Sequence, residues 1–303
     1  MDRMQRGYFR LAAENTYLKL KRQEFQAWVG KILEMSLPDD YENIRLTQGD
    51  GGLDGIIISR SAIVAVNAPR DQSASTLITK IESDFESGRK TLSDRDVEMK
   101  GFIFVHNDEG LTKDVGPKLM ALRNNNEGID VECWSFERIW RELEKLSVIQ
   151  LEEMFGPGPT DENVARLQMP AIREVVEHLS SIEADAPPTG AIEIPDPEKL
   201  EHNSLNTFNQ DLLRAGRSKH GLVIEYLEGV TDIRAGEAIA EGFRRKYAAC
   251  RESQMASDDI FGSLWDFAGG SHFTTPTQHA AVTAVLSYYF HSCDIFENLP
   301  EST

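Results

Sequence analysis

Four short apolar runs recur in the first half of the chain: IIIS (56–59), AIVAVN (62–67), GFIFVHN (101–107) and IDVECWS (129–135). Each is too short for a buried helix and is rich in β-branched or aromatic residues. Each therefore reads as a strand covered on both faces. Only Arg60-Ser61 separates the first two, so they pair as a hairpin, and residues 43–47 predict a further short strand before them. Between the runs the apolar spacing turns helical. One long helix is predicted over 8–35, with Phe25, Trp28, Val29, Ile32 and Leu33 on one face, stopped by Pro38 and Asp39-Asp40. Another covers 73–91, capped by Ser73 or Ser75, with Leu77, Ile78, Ile81 and Phe85 inward. A third spans 111–125, interrupted at Gly116-Pro117, and a fourth closes the region at 136–146. Alternating strands and helices of this kind fold as an α/β domain with a mixed sheet.

GPGPT (156–160) ends the alternation. A single amphipathic helix follows at 163–183, then a Pro-rich irregular stretch at 186–203. From residue 205 every periodic segment is helical: 205–216, 219–228, 234–250, 255–268 and 277–291. The expected partition is 1–155 as the α/β domain, 156–204 as a linker with one helix, and 205–303 as an all-α domain.

Charge divides along the same line. Residues 1–150 hold 21 Lys+Arg and 25 Asp+Glu; residues 151–303 hold 11 and 25, a net of -14. So acidic a half does not dock on a phosphate backbone unaided, which points it toward protein and leaves nucleic acid to the first half. Lys80, Arg89, Lys90 and Lys100 form either a local positive groove or a solvated face there. No run of 18 apolar residues exists to span a bilayer, and the first residues lack the apolar core of a secretory signal. Cys133, Cys250 and Cys293 are odd in number and far apart, as expected of reduced thiols in the cytoplasm.

Chemistry concentrates in GDGGLDG (49–55). Gly51, Gly52 and Gly55 let the backbone turn sharply and place Asp54 at the mouth of a strand. Taken alone, such a turn is usually only a turn. Glu24 alone reads as a solvated helix residue, His106 as a satisfied core histidine, and Trp28, Trp134 and Trp140 as core. After residue 160 no catalytic constellation is visible, and His272, His279 and His291 lack metal-ligand spacing. Trp265, Phe267 and Phe273 around Gly269-Gly270 read as a packing corner. Phe290, Ile295 and Phe296 either close the core or dock a partner.

Residues 20–150, with a helix carrying Glu24, the Gly-rich turn with Asp54 and a hairpin strand, resemble a PD-(D/E)xK restriction-endonuclease-like domain. GDGGLDG, a strand ending Ala-Pro, LITKIESDF (77–85) and VECWSFERIWREL (131–143) further resemble N-terminal regions of ABC-three-component (ABC-3C) proteins. IEIPDPEKLEHNSLN (192–206) and VLSYYFHSCDIFENLP (285–300) resemble the opening and closing motifs of the ABC-3C C-terminal domain. The resemblance implies a subunit of a bacterial anti-phage system, Lamassu among them. Its partners would be an SMC/ABC-type ATPase, a further small subunit and DNA, in a homo-oligomer or multi-subunit complex. It also implies Mg²⁺ or Mn²⁺ held by Asp54, Glu24 and Asn67, with hard oxygen donors suiting the ion. The second strand of such domains ends in an acid or amide, one residue, then lysine; here it ends Asn67-Ala68-Pro69. Two readings stand. Lys80, on the following helix, takes over the missing cation, with Arg70 a weaker candidate; or the domain is a dead nuclease fold serving as an adaptor.

Overall fold

The computed structural model describes residues 1–44, 53–68, 73–108, 113–182, 204–230, 234–292 and 296. Gly51, Gly52, Pro69, Arg70, the stretch 186–203, Ile295 and all of CDIFENLP except Phe296 lie outside the described residues. By backbone contacts the chain splits into two compact units: Thr16–Gln150, and Met1–Asn15 together with Leu151–Thr303. The expected partition put residues 1–15 with the sheet, whereas their contacts lie with the helical unit. Tyr8 packs edge-on against Trp265 and its hydroxyl donates to the Phe155 carbonyl at 3.0 Å.

The predicted helix 8–35 is two helices, α1 (Arg3–Lys19) and α2 (Arg22–Ser36). Leu20 and Lys21 fall outside both, and Arg22 takes φ 46°, a left-handed turn that breaks the helical ladder. Apolar spacing did not show this break, because no Gly or Pro marks it.

The sheet unit has five strands in the order β1 (Tyr41–Asn43), β2 (Gly55–Ile57), β3 (Ala62–Asn67), β4 (Gly101–His106) and β5 (Asp130–Trp134). β1, β2 and β3 pair antiparallel; β3, β4 and β5 pair parallel, with Asn67 beside His106. The parallel strands are buried along their length, as their continuous apolar runs require. The hairpin turn uses Ser61 at φ 43°. Helix α3 (Ala74–Ser93) crosses from β3 to β4; its N-cap Ser73 accepts from the Thr76 N–H, as the sequence indicated. Helix α4 (Val115–Asn125) begins where a break was expected. Pro117 falls in its first turn, where no intrahelical N–H donor is needed. Helix α5 (Phe136–Leu143) follows β5.

Ile63 and Ala65 of β3, Phe102 and Phe104 of β4 and Val131 of β5 pack with Leu77, Ile81 and Phe85 of α3. This is the α3–α4 face of the sheet; α2 and α5 pack together on the other side. Gly88 fixes the seat of α3, since a Cβ there would lie 3.2 Å from Ile63 and from Leu53. α3 runs antiparallel to β3, so Asp84 and Lys80 lie one and two turns nearer the carboxyl end of that strand.

The helical unit contains α6 (Val148–Phe155) from Leu151 on, α7 (Asp161–Ala165), α8 (Met169–Ile182), α9 (Thr207–Arg217), α10 (His220–Gly229), α11 (Ala235–Glu252), α12 (Ser257–Phe267) and α13 (Pro276–Ser292). The expected helix 163–183 is thus divided between α7 and α8. Thr160 and Asn163 form a reciprocal capping box at the start of α7. α13 is buried continuously from His279 to Leu286 and is apolar on all sides, the mark of a central core helix. Gly216 lets α9 close on it: a Cβ there would lie 2.5 Å from the Thr283 carbonyl oxygen and 2.7 Å from Ser287 Cβ. Gly269 (φ 101°) and Gly270 make the predicted corner under Trp265. Phe296 is 3% exposed and packs on Phe290 and Tyr247, so this part of the terminus closes the core.

Candidate functional site at the carboxyl end of the parallel strands

Asp54 stands one residue before β2 and is held from both sides. Its N–H donates to the Val64 carbonyl at 2.9 Å, and its carbonyl accepts from Ile44 N–H at 3.1 Å. Gly55 is required beside it because the Tyr41 ring fills the space a Cβ would need, with Tyr41 Oη 2.3 Å from that position. Asp54 Oδ2 accepts from the Val66 N–H at 2.6 Å, which carries the carboxylate toward the end of β3. Burial, and after it the Asp54 charge, pushes the Tyr41 phenol well above its ordinary pKa. Alternation from Ile56, which packs on the α3–α4 core, puts Asp54 on that same face.

Asn67 ends β3 two residues beyond Ala65, again on that face, and is 7% exposed. His106 ends β4 beside it and is stacked on Phe104. The His106 Nδ1 accepts from the Asp108 N–H at 3.2 Å, and burial lowers its pKa to about 4, so the ring is neutral. Tyr17 Oη donates to the His106 carbonyl at 2.8 Å and anchors the strand end. The bland reading of His106 as a satisfied core histidine agrees with this geometry.

Lys80 pairs with a residue that the sequence alone did not single out. Its Nζ donates to Asp84 Oδ1 at 2.8 Å. The Asp84 side chain is 4% exposed, against 37% for Lys80. Burial raises the Asp84 pKa to about 6; Lys80 opposes the rise, and the neighbouring Asp54 charge adds to it. Asp54, Asp84 and Lys80 thus share one electrostatic neighbourhood. The signal for Asp84 was present: it lies on the apolar stripe Leu77–Ile81–Phe85–Gly88, where a carboxylate has no structural reason to be.

Glu24 is exposed in the first turn of α2. That helix start is tied to the end of β3, Arg22 N–H donating to the Ala68 carbonyl at 3.3 Å, but α2 belongs to the opposite layer. Arg89, Lys90 and Lys100 are exposed, and Arg89 pairs with Glu86, as a solvated face does. Among the described residues, no group of three or more His, Cys, Asp and Glu is placed to hold a metal. The oxygen groups left for a ligand at this end are the Asp54 carboxylate and the Asn67 amide, since Asp84 is paired with Lys80. Both are hard donors of the kind Mg²⁺ or Mn²⁺ takes, ions that keep several waters and need few protein ligands.

The carboxyl end of parallel strands is where open α/β sheets place their ligands, and here Asn67 and His106 end neighbouring strands with the Asp54 carboxylate bonded to the Val66 N–H. Comparison with known families bears on the second unit. Residues 170–297 match the family model for C-terminal domain 10 of the ABC-three component (ABC-3C) systems, which supports the chain being a component of such a system. No curated protein and no solved structure matches the chain. No helix among the described residues is long and apolar enough to cross a membrane.

Proposed function

We propose that the chain is an effector or accessory subunit of a bacterial ABC/SMC-ATPase anti-phage complex, in which the sheet unit is a metal-dependent DNA endonuclease of restriction-endonuclease-like fold. What supports this reading is that Asp54 bonds near the end of β3, Asn67 ends that strand on the same face, and the Lys80–Asp84 pair lies on the helix packed against it, with the Asp54 charge acting on Asp84. Asp54 and the Asn67 amide oxygen would hold Mg²⁺ or Mn²⁺, with Glu24 adding charge at the same strand end. The ion supplies Lewis-acid polarisation of a phosphate and a more acidic water. Lys80 stabilises negative charge developing on the phosphate, the role the lysine of the strand motif would have had. The acidic helical unit holds the chain to the ATPase, to a further small subunit or to a second copy, in the cytoplasm.

A second reading has its own observation. Lys80 is already neutralised by Asp84, and β3 ends in an uncharged Asn67. On that reading the sheet unit is an adaptor without catalysis. The deciding experiment incubates the full chain, with and without its ATPase partner, with DNA and Mg²⁺ or Mn²⁺, beside Asp54→Ala and Lys80→Ala. Cutting that needs the metal and is lost in both variants establishes the endonuclease. No cutting even with the partner present establishes the adaptor.

A further inference from the structure

We propose that Asp84 is the positioning residue for Lys80, so that α3 delivers through one side-chain pair the cation that β3 lacks; this rests on the endonuclease reading above. A lysine–carboxylate pair four residues apart ordinarily stabilises a helix on its solvated face, and does so better with the acid on the N-terminal side. Here the order is reversed, Lys80 preceding Asp84, and the acid is buried among Leu77, Ile81, Phe85 and Gly88. Both features are wrong for helix stability. A carboxylate held in an apolar stripe is costly, and a leucine or alanine would serve packing better. What the placement does achieve is orientation. Lys80 is a long, partly exposed side chain with many rotamers, and Asp84 restrains its ammonium through a hydrogen bond of 2.8 Å. Asp54 lies on the same face of the sheet, and its charge acts on Asp84.

A merely structural pair and a positioning pair predict different things. Full-length wild type, Asp84→Asn and Asp84→Glu are compared by competitive acetylation of lysines read by mass spectrometry, by melting temperature, and by cleavage kinetics. Positioning predicts that Lys80 is acetylated severalfold more slowly than the exposed Lys90 in the wild type. The Asn variant brings Lys80 up to the Lys90 rate without lowering the melting temperature, and Glu restores protection. In cleavage, Asp84→Asn lowers kcat with KM unchanged, and its combination with Lys80→Ala cuts no worse than Lys80→Ala alone. Should the Asn variant not fold, Asp84→Ser takes its place. Lys80 labelling at one rate in all variants, or losses that multiply in the double variant, overturns the proposal. If the wild type does not cut even with its ATPase partner, the endonuclease reading falls, while the labelling arm still decides whether Asp84 holds Lys80.

Discussion

At the scale of single residues, Asp84 and His106 set opposite pH dependences on the same sheet face. The folded-state pKa of Asp84 is raised to about 6, so its contribution to stability is full below its unfolded pKa and is lost as pH rises through about 6. The folded-state pKa of His106 is lowered to about 4, so its contribution is present above the ordinary imidazole pKa and is lost as pH falls toward 4. The two offset one another over the same mildly acidic range. Asp84→Asn removes the first and leaves the second. Between pH 7.5 and 4.5, the unfolding free energy of Asp84→Asn is expected to fall by about 2 kcal/mol more than that of the wild type. Denaturant titration at the two pH values checks this, and parallel curves for the two proteins would refute it. Asp54 gives a second residue-scale prediction. Mn²⁺ at ~100 times its dissociation constant should stabilise the wild type by about 2.7 kcal/mol and leave Asp54→Ala unmoved, read as a melting shift.

At the scale of elements, the helix caps and close crossings carry the testable energetics. Ser73 satisfies the first turn of α3, so Ser73→Ala should cost about 1 kcal/mol while leaving the site residues in place. Gly216 is a point of close approach of α9 to α13, and Gly216→Ala puts a methyl against the Thr283 carbonyl and Ser287. That overpacking should lower the stability of the helical unit by about 1–3 kcal/mol, measured by its thermal transition, with the sheet unit unaffected. Most elements were legible, because continuous β-branched runs and helical apolar spacing report burial directly. The breaks within predicted helices were less so. The α1–α2 break rests on one left-handed residue, Arg22, with no glycine or proline to mark it, whereas the α7–α8 break was marked by Pro170 in the first turn of α8, a signal the apolar spacing overrode. Asp84 was missed for a related reason: a lone charge on an apolar stripe gains meaning only when the neighbouring strand is known.

At the scale of the whole molecule, charge and the family match point the same way. The second half carries the acidic excess, and residues 170–297 match an ABC-3C C-terminal domain. If that unit docks a basic partner surface, co-purification of the full chain with the ATPase should weaken as salt rises from about 0.1 to 0.5 M, and Asp54→Ala and Lys80→Ala should leave it unchanged. Loss of assembly in those variants would mean that the sheet unit, too, makes the contact.

The sequence by itself determined an α/β region followed by helices, the strand runs, the Asp54 turn and the acidic second half. These are properties of local pattern and composition, which periodicity and turn chemistry report without a partner. The Lys80–Asp84 spacing of four residues was also in the sequence; only the tertiary structure decided that Asp84 is buried and that the Asp54 charge acts on it. Those two relations depend on where α3 is seated against β3, and that seat is fixed by packing around Gly88. The Gly-rich turn announces a carboxylate; the packed helix opposite supplies its company.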